Sequence, residues 1–415
     1  MDKAILVGID LGKYNMEYSL EELENVASAL NIEVIEKITQ RLDKPNIKTC
    51  IGSGKVQELK NIVQHTNATM VIFDEELTPA QIRNLEKELD TQIIDRSFLI
   101  LSIFAERAKT KSAMLEVSLA QQKYLLPRLV GMRSSLSRQG GGTYNAKGPG
   151  ETKLELDRRV IQTTISKTEQ AIKKLDIQRK VERKARTINR VPLVSLVGYT
   201  NAGKSATLNT LIKHLELDSN LVYEEDVLFA TLDTTARRIS KNGYPDFILS
   251  DTIGFLTRLP HEFINSFKST LKEIENSDLI IHIVDGTSKE KDLHIKTTKS
   301  VLKDLNCEHI NSLEVYTRLD LINDKNDLDG FWISNKTNEN IDLLINHLYK
   351  NIFGEIIIVK LRLPYNKQNI VSELNAKTRV LDTQYLNDYV YLEVKMFQKQ
   401  LETYKDYLYS YNNSK

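Results

Sequence analysis

The sequence predicts an α/β protein of about three domains, and three observations carry that prediction. Short apolar runs alternate with stretches of helical periodicity, as strands and helices do in layered sheets. The 415 residues are too many for one hydrophobic core. Between Val191 and Asn209, the apolar run Leu193–Val197 meets a glycine-containing turn and passes into helix-competent sequence. The expected layout is an α/β domain over 1–110, a helical hairpin over 111–190, a phosphate-loop domain over 191–353 and a small α+β domain over 354–415.

Composition narrows the class. Hydrophobic residues make up 41% and charged residues 27%, the balance of a soluble globular chain. No run of about 18 apolar residues occurs, and the first ten residues lack the core of a signal peptide. A cytoplasmic monomer without membrane contact is therefore expected. Cys50 and Cys307 have no metal-ligand spacing around them and are expected to be buried thiols. The net charge of +1 conceals an asymmetry: residues 107–190 hold 20 Lys and Arg against 7 Asp and Glu, a balance of +13 that leaves −12 for the rest. That concentration points to a polyanion partner.

Within 1–110, Ala4–Gly8 reads as a buried strand. Ser19–Ala29 reads as a helix opened by a capping box, with Ser19 as the cap and Glu22 three positions on. Glu33–Ile38 and Met70–Phe73 are the next strands, the second ending at Asp74. Ile51-Gly52-Ser53-Gly54-Lys55 lacks the four-residue spacer of a phosphate loop, so a tight turn before a helix at Lys55–Val63 is expected. Thr110–Arg128 reads as a helix ended by Pro127. From Glu151, the residues Leu154, Ile161, Ile165, Ile172 and Leu175 step by seven, four, seven and three, one apolar seam of a long helix. Gly140–Gly150 between them has five glycines in eleven residues, and Arg133, Arg138, Tyr144, Asn145 and Lys147 in and beside it are candidate RNA contacts. Two helices joined by a basic tip make an antiparallel hairpin able to enter a nucleic-acid crevice; a flexible interdomain linker is the alternative.

The turn after Val197 is Gly198-Tyr199-Thr200-Asn201-Ala202-Gly203-Lys204-Ser205. Backbone N–H groups wrapped around phosphate oxygens need residues without bulk, which Gly198 and Gly203 supply. Lys204 adds a cation for the β- and γ-phosphates, Ser205 a hydroxyl for Mg²⁺, and the helix beyond them the positive end of its dipole. Further parts come in the order that a Ras-like GTPase requires. Phe247–Gly254 is a strand running into Asp251-Thr252-Ile253-Gly254, a D-x-x-G in which Asp251 would hold Mg²⁺ through water and the Gly254 amide would sense the γ-phosphate. In Phe229–Arg238, Thr231 is the chosen residue for closure onto Mg²⁺ and Thr235 the runner-up. Leu279–Val284 is the next strand, ending at Asp285-Gly286.

Thr317-Arg318-Leu319-Asp320 stands at the position of N-K-x-D. Asp320 can accept from both guanine N1–H and N2–H₂, at roughly 1.5–3 kcal/mol per bond, and adenine offers no such pair of donors. A helix cap is the other role open to Asp320. Trp332–Lys336 stands where backbone amides touch the guanine carbonyl, which brings in Ser334, Asn335 and Lys336. Phe255 comes directly after D-x-x-G where a water-orienting glutamine is common, so no catalytic residue is assigned and slow unassisted hydrolysis is expected. In the last segment, Ile356–Leu361, Arg379–Asp382 and Tyr389–Glu393 read as strands around a helix at Ile370–Ala376.

Six stretches carry a resemblance: I-G-S-G-K-V-Q-E-L at Ile51–Leu59, V-I-F-D-E-E-L-T-P-A-Q at Val71–Gln81, Q-K-Y-L-L-P-R-L at Gln122–Leu129, G-P-G-E-T-K-L-E at Gly148–Glu155, F-A-T-L-D at Phe229–Asp233 and D-T-I-G-F at Asp251–Phe255. Over nearly the whole chain the sequence resembles the HflX family of ribosome-associated GTPases. The resemblance implies a Mg²⁺-dependent enzyme that binds GTP and GDP. It also implies a hairpin that meets ribosomal RNA of the large (50S) subunit near the peptidyl-transferase centre, and a role in splitting or rescuing stalled 70S ribosomes. Departures from the family pattern are Thr143-Tyr144-Asn145-Ala146 within the tip glycines, Ala206 for threonine, Thr234 for proline and Thr317-Arg318 for Asn-Lys. The last of these removes an amide that ties the guanine loop to the phosphate loop. Relatives that act as antibiotic-resistance factors use the same ribosomal site, so a divergent paralogue fits. The rival expectation is a non-hydrolysing, nucleotide-gated binding module, suggested by Thr317-Arg318 and Phe255. A base-modifying GTPase would need a Cys or His cluster that the sequence does not offer.

Overall fold

The computed structural model describes residues 2–12, 14–128, 153–188, 191–215, 235–241, 243–258, 274–325 and 328–412. The chain divides into two compact units: the first runs through Lys180 and takes in Arg258, and the second holds most of the remaining chain.

The first unit is built from β1 (Lys3–Asp10), α1 (Met16–Ser28), β2 (Glu33–Arg41), α2 (Ser53–Thr66), β3 (Met70–Phe73), α3 (Pro79–Leu89), β4 (Gln92–Asp95), α4 (Arg96–Arg107) and α5 (Lys111–Leu125), and α6 (Lys153–Ile188) begins in it. Its four strands lie parallel in the order β2-β1-β3-β4. All four residues of β3 are buried, as in parallel strands covered on both faces. Ile5, Val7, Val71 and Phe73 pack on Leu59 and Val63 of α2 and Leu85 and Leu89 of α3.

The start of α1 corrects the sequence reading. The helix begins at Met16 behind Asn15, whose side chain accepts from the Tyr18 amide, so Ser19 and Glu22 lie inside the first turns and are buried. There they meet tertiary partners instead of the helix end. The Ser19 hydroxyl donates to Asp74 Oδ2 at 2.7 Å, and Glu22 is paired with the buried Arg96, whose other nitrogen donates to Asp74 Oδ1 at 2.9 Å. The capping box of this unit is at Thr78 and Gln81, with Pro79 in the first turn. Helix α2 likewise starts at Ser53, two residues before the expected Lys55.

The hairpin helices are α5 and α6, joined by the ion pair Lys123–Glu169 at 2.9 Å. The foot of α5 is locked to the sheet through Asp95. Its carboxylate accepts from the Tyr124 hydroxyl at 2.8 Å and from Arg128 at 3.3 Å, and the Arg128 guanidinium lies 3.3 Å from the Tyr124 ring. The tip, with Arg133, Arg138, Tyr144, Asn145 and Lys147, lies outside the described residues.

The second unit holds β5 (Leu193–Gly198), α7 (Lys204–His214), β6 (Thr235–Ile239), β7 (Phe247–Asp251), β8 (Leu279–Asp285), α8 (Lys291–Asp304), β9 (Ser312–Thr317), β10 (Phe331–Trp332) and α9 (Ile341–Phe353). Its six-stranded sheet runs β10-β9-β8-β5-β7-β6, with β6 antiparallel and the others parallel. Strand β5 lies between β7 and β8, and the chain crosses from β7 on one side of it to β8 on the other. Such a reversal opens a crevice at the carboxyl ends of the strands, the place where α/β sheets bind ligands.

The chain closes with β11 (Ile356–Pro364), α10 (Gln368–Lys377), β12 (Arg379–Tyr385), β13 (Tyr389–Phe397), α11 (Leu401–Tyr404) and β14 (Leu408–Asn412). These strands form an antiparallel sheet in the order β12-β13-β11-β14. The predicted α/β architecture, with a mostly parallel central sheet and a small sheet domain after it, is the one observed. Among the described residues, no helix is long and apolar enough to cross a membrane.

Candidate functional site

The crevice at the end of β5 is lined by the predicted turn. Gly198 passes so close to β8 that a Cβ there would stand 2.2 Å from the Ile283 carbonyl oxygen, which explains why glycine is needed. Gly203 caps α7, and the Thr207 hydroxyl donates back to its carbonyl at 2.8 Å. Lys204 is 6% exposed, its ammonium donating to the Tyr199 carbonyl at 2.8 Å. Burial pushes its pKa down to about 8, against the pull of Asp251. Ser205 donates to Asp251 Oδ2 at 2.6 Å, so the two predicted Mg²⁺ oxygens meet at the end of β7. Thr231 lies outside the described residues; Thr235 begins β6 and pairs across from Asp251.

The segment after Asp251 is zipped to the turn. The Thr200 amide donates to the Phe255 carbonyl at 2.8 Å, and the Phe255 amide to the Gly198 carbonyl at 3.1 Å. The Thr257 amide donates to the Tyr199 hydroxyl at 2.9 Å, and the Tyr199 ring stacks on His294 at 3.9 Å. Thr252 is held by its hydroxyl, which donates to the Leu196 carbonyl at 2.6 Å, while Ile253 is buried. A Cβ on Gly254 would sit 2.9 Å from Lys204 Nζ and 2.8 Å from Thr200 Cα, so this backbone has room only for glycine. Phe255 is 2% exposed, an apolar side chain turned into the core.

On the other wall stands Asp320. Its Oδ1 accepts from the Ser334 hydroxyl at 2.7 Å, and that bond, with smaller help from Lys336, holds its carboxyl below the usual range. The Ser334 amide donates to the Glu339 carbonyl at 3.1 Å, the Asn335 amide group donates to Thr207 at 2.9 Å, and Lys336 is exposed. The implied loss of the tie between the two loops is corrected here. The Thr317 hydroxyl donates to the Ala202 carbonyl at 2.9 Å, and Arg318, in the left-handed region at φ 64°, donates to the Asn201 carbonyl at 3.3 Å and pairs with Asp285 at 3.0 Å. A hydroxyl thus does what the missing amide would do.

Sequence reasoning missed Arg258, a member of the first unit. It donates to Asp74 Oδ2 at 2.7 Å and to the Asp74 carbonyl at 2.9 Å, pairs with Glu75 at 3.0 Å and lies 4.5 Å from the Tyr14 ring. The available signal was a cation four residues beyond the glycine of D-x-x-G, which is too little to name a partner 184 residues away.

Residues 17–105 match the family described as GTP-binding GTPase N-terminal, 107–186 the GTP-binding GTPase middle region and 193–317 the 50S ribosome-binding GTPases. The GTPase HflX of Caldanaerobacter subterraneus is 42% identical over 384 residues, covering 92% of this chain and 88% of that protein. The proteins of the same name from Lacrimispora saccharolytica and Escherichia coli are each 37% identical, over 94% and 88% of this chain and 92% and 86% of theirs. A phosphate turn, a D-x-x-G zipped to it and an aspartate on the opposite wall thus stand in a chain that belongs, over most of its length, to the HflX family of GTP-hydrolysing enzymes.

Proposed function

We propose that this enzyme is a ribosome-triggered GTPase, which binds the large subunit through its basic hairpin and splits or rescues stalled 70S ribosomes in the cytoplasm. The working divisions are 1–110, 111–190, 191–353 and 354–415. Residues 198–205 and 251–254 enclose the phosphates, and Asp320 with the turn at 334–336 receives guanine. Ser205 and Asp251 would hold Mg²⁺, with Thr231 closing on it; paired hard oxygens suit that ion, which neutralises charge on the β- and γ-phosphates. Support for a ribosomal partner comes from the excess of 13 positive charges over 107–190 and from the match to the 50S ribosome-binding GTPases.

One observation carries the claim of triggering: Phe255 is buried with its backbone bonded to the phosphate turn. It has no polar atom to orient water, and its neighbours hold it in place. Unassisted turnover on the order of 10⁻⁴ s⁻¹ or below, by analogy with unassisted Ras-type sites, is the consequence, and docking supplies the missing contact with an acceleration of about 10²–10⁵. Phosphate release is to be timed with and without purified 50S subunits. A rate near 1 s⁻¹ without them, or none gained with them, overturns the proposal.

A further inference from the structure

Among the described residues, the C-terminal sheet has one face that its hydrophobic core does not use. On β11 the residues Ile357, Val359, Leu361 and Leu363, and on β13 Val390, Leu392, Val394 and Met396, form a core that also takes in Leu374 of α10 and Tyr404 of α11. By the two-residue period of a strand, Lys360 and Arg362, with Tyr389, Tyr391 and Lys395, stand on the opposite side. They make an organised surface. Arg362 is directly across from Tyr391, and its guanidinium lies 3.8 Å from the Tyr409 ring and 5.0 Å from the Tyr389 ring. Tyr391 and Tyr409 meet edge to face at 6.4 Å. Lys360 stands directly across from Glu393 and beside Tyr391, and both hold its ammonium charged. Arg362 and Lys395 are exposed, as is Tyr409 at 54%. Residues 354–415 hold 8 of the chain's 17 tyrosines, far more than a small core needs.

We propose that this face binds single-stranded RNA, its unpaired bases stacking on Tyr389, Tyr391 and Tyr409 while Arg362 and Lys395 meet the phosphates. Aromatic rings on an antiparallel sheet are how single strands are held without reading a sequence, and arginine adds both charge and a stacking plane. Tyrosine and arginine serve protein interfaces too, but the two flanking lysines, a residue depleted there, favour a strand that carries phosphates. The surface shares no residue with the basic hairpin, so it is a second RNA contact that can be tested apart from ribosome docking.

The test uses the full chain and a fluorescein-labelled, uridine-rich RNA of roughly 12 nucleotides, the site size of such platforms. The background carries Arg133→Ala, Arg138→Ala and Lys147→Ala, so that the hairpin does not dominate. In that background, Arg362→Ala with Tyr409→Ala is expected to weaken single-strand binding about tenfold or more, whereas Tyr409→Phe, which keeps the ring, leaves it within about twofold. GTP binding should be unchanged in both, and a circular-dichroism melting curve that matches the background protein certifies the C-terminal sheet. Photocrosslinks from 4-thiouridine should map to residues 389–409. Equal affinity in the double-alanine variant, a preference for duplex of the same length, or crosslinks confined to 107–190 would each overturn the proposal and leave the 50S experiment untouched.

Discussion

Two buried cations, one in each unit, are shifted in opposite directions. Arg96 is 2% exposed; burial alone would lower its pKa, but Glu22 and Asp74 at hydrogen-bond distance raise it above the ordinary value. Lys204 is nearly as buried, yet its close partner is a neutral carbonyl, so burial wins and its pKa falls to about 8. The first arrangement is closed: each charge offsets another, and its work is to hold α1, β3 and α4 together. In the second, the cation is held at a cost beside a turn of backbone amides, and an anion would relieve that cost. Burial of a charge therefore says little about function until its partners are counted.

Removing the two cations should carry opposite costs. Arg96→Ala takes the buried cation away from Glu22 and leaves Asp74 to Arg258 and Ser19, and should destabilise the first unit by about 3–5 kcal/mol, read from urea unfolding. A loss below about 1 kcal/mol would mean that the cluster is not closed. Lys204→Ala should do the reverse: unfolding shows no loss of stability, while GTP affinity in a fluorescent-analogue titration falls by about 100-fold or more, as charge-assisted bonds to two phosphates disappear. Near-normal affinity would remove Lys204 from the site.

The pH dependence sharpens the contrast. Bound phosphates raise the pKa of Lys204, so the complex keeps a proton that the free protein loses above about pH 8. GTP affinity should be level below that pH and fall by about tenfold per unit above it. For folding the sign is opposite: between about 8 and the ordinary lysine value near 10.4, the unfolded chain binds the extra proton, so this residue's penalty on stability fades as pH rises. An affinity that stays flat to pH 10 would contradict the shift. The smallest effect is expected from Thr317→Val, which removes the hydroxyl tie to Ala202; about 1 kcal/mol, or roughly fivefold in nucleotide affinity, is at stake. No change would mean that Arg318 alone holds the loops together.

Much of the site was legible before the fold was known. The strand, the glycine-bounded turn and the helix at Val191–Asn209 are local, and so is the run from Phe247 into D-x-x-G; backbone conformations of this kind are set within a few residues. Met70–Phe73 was legible to the residue because a strand covered on both faces is an unbroken apolar run. Strand β4 and strand β14 were not read at all. In Gln92–Asp95 only two apolar residues precede Asp95, and Leu408–Asn412 alternates with tyrosines that look like surface.

The failures share a cause. Ser19 and Glu22 have the spacing of a capping box, yet Asp74 and Arg96, 55 and 74 residues away, take both side chains because a buried polar group must find a partner wherever one is near. Thr317 looked like the loss of an amide until its hydroxyl was seen on Ala202, 115 residues back. By itself the sequence determined the α/β class, the phosphate turn and the concentration of positive charge, since spacing and composition are properties of the chain alone. Only the tertiary structure decided which buried charges cancel, which cation is left facing a neutral oxygen, and where Phe255 is held. Those depend on distances between residues far apart in sequence, and electrostatic and hydrogen-bond energies fall away within a few ångströms of such distance.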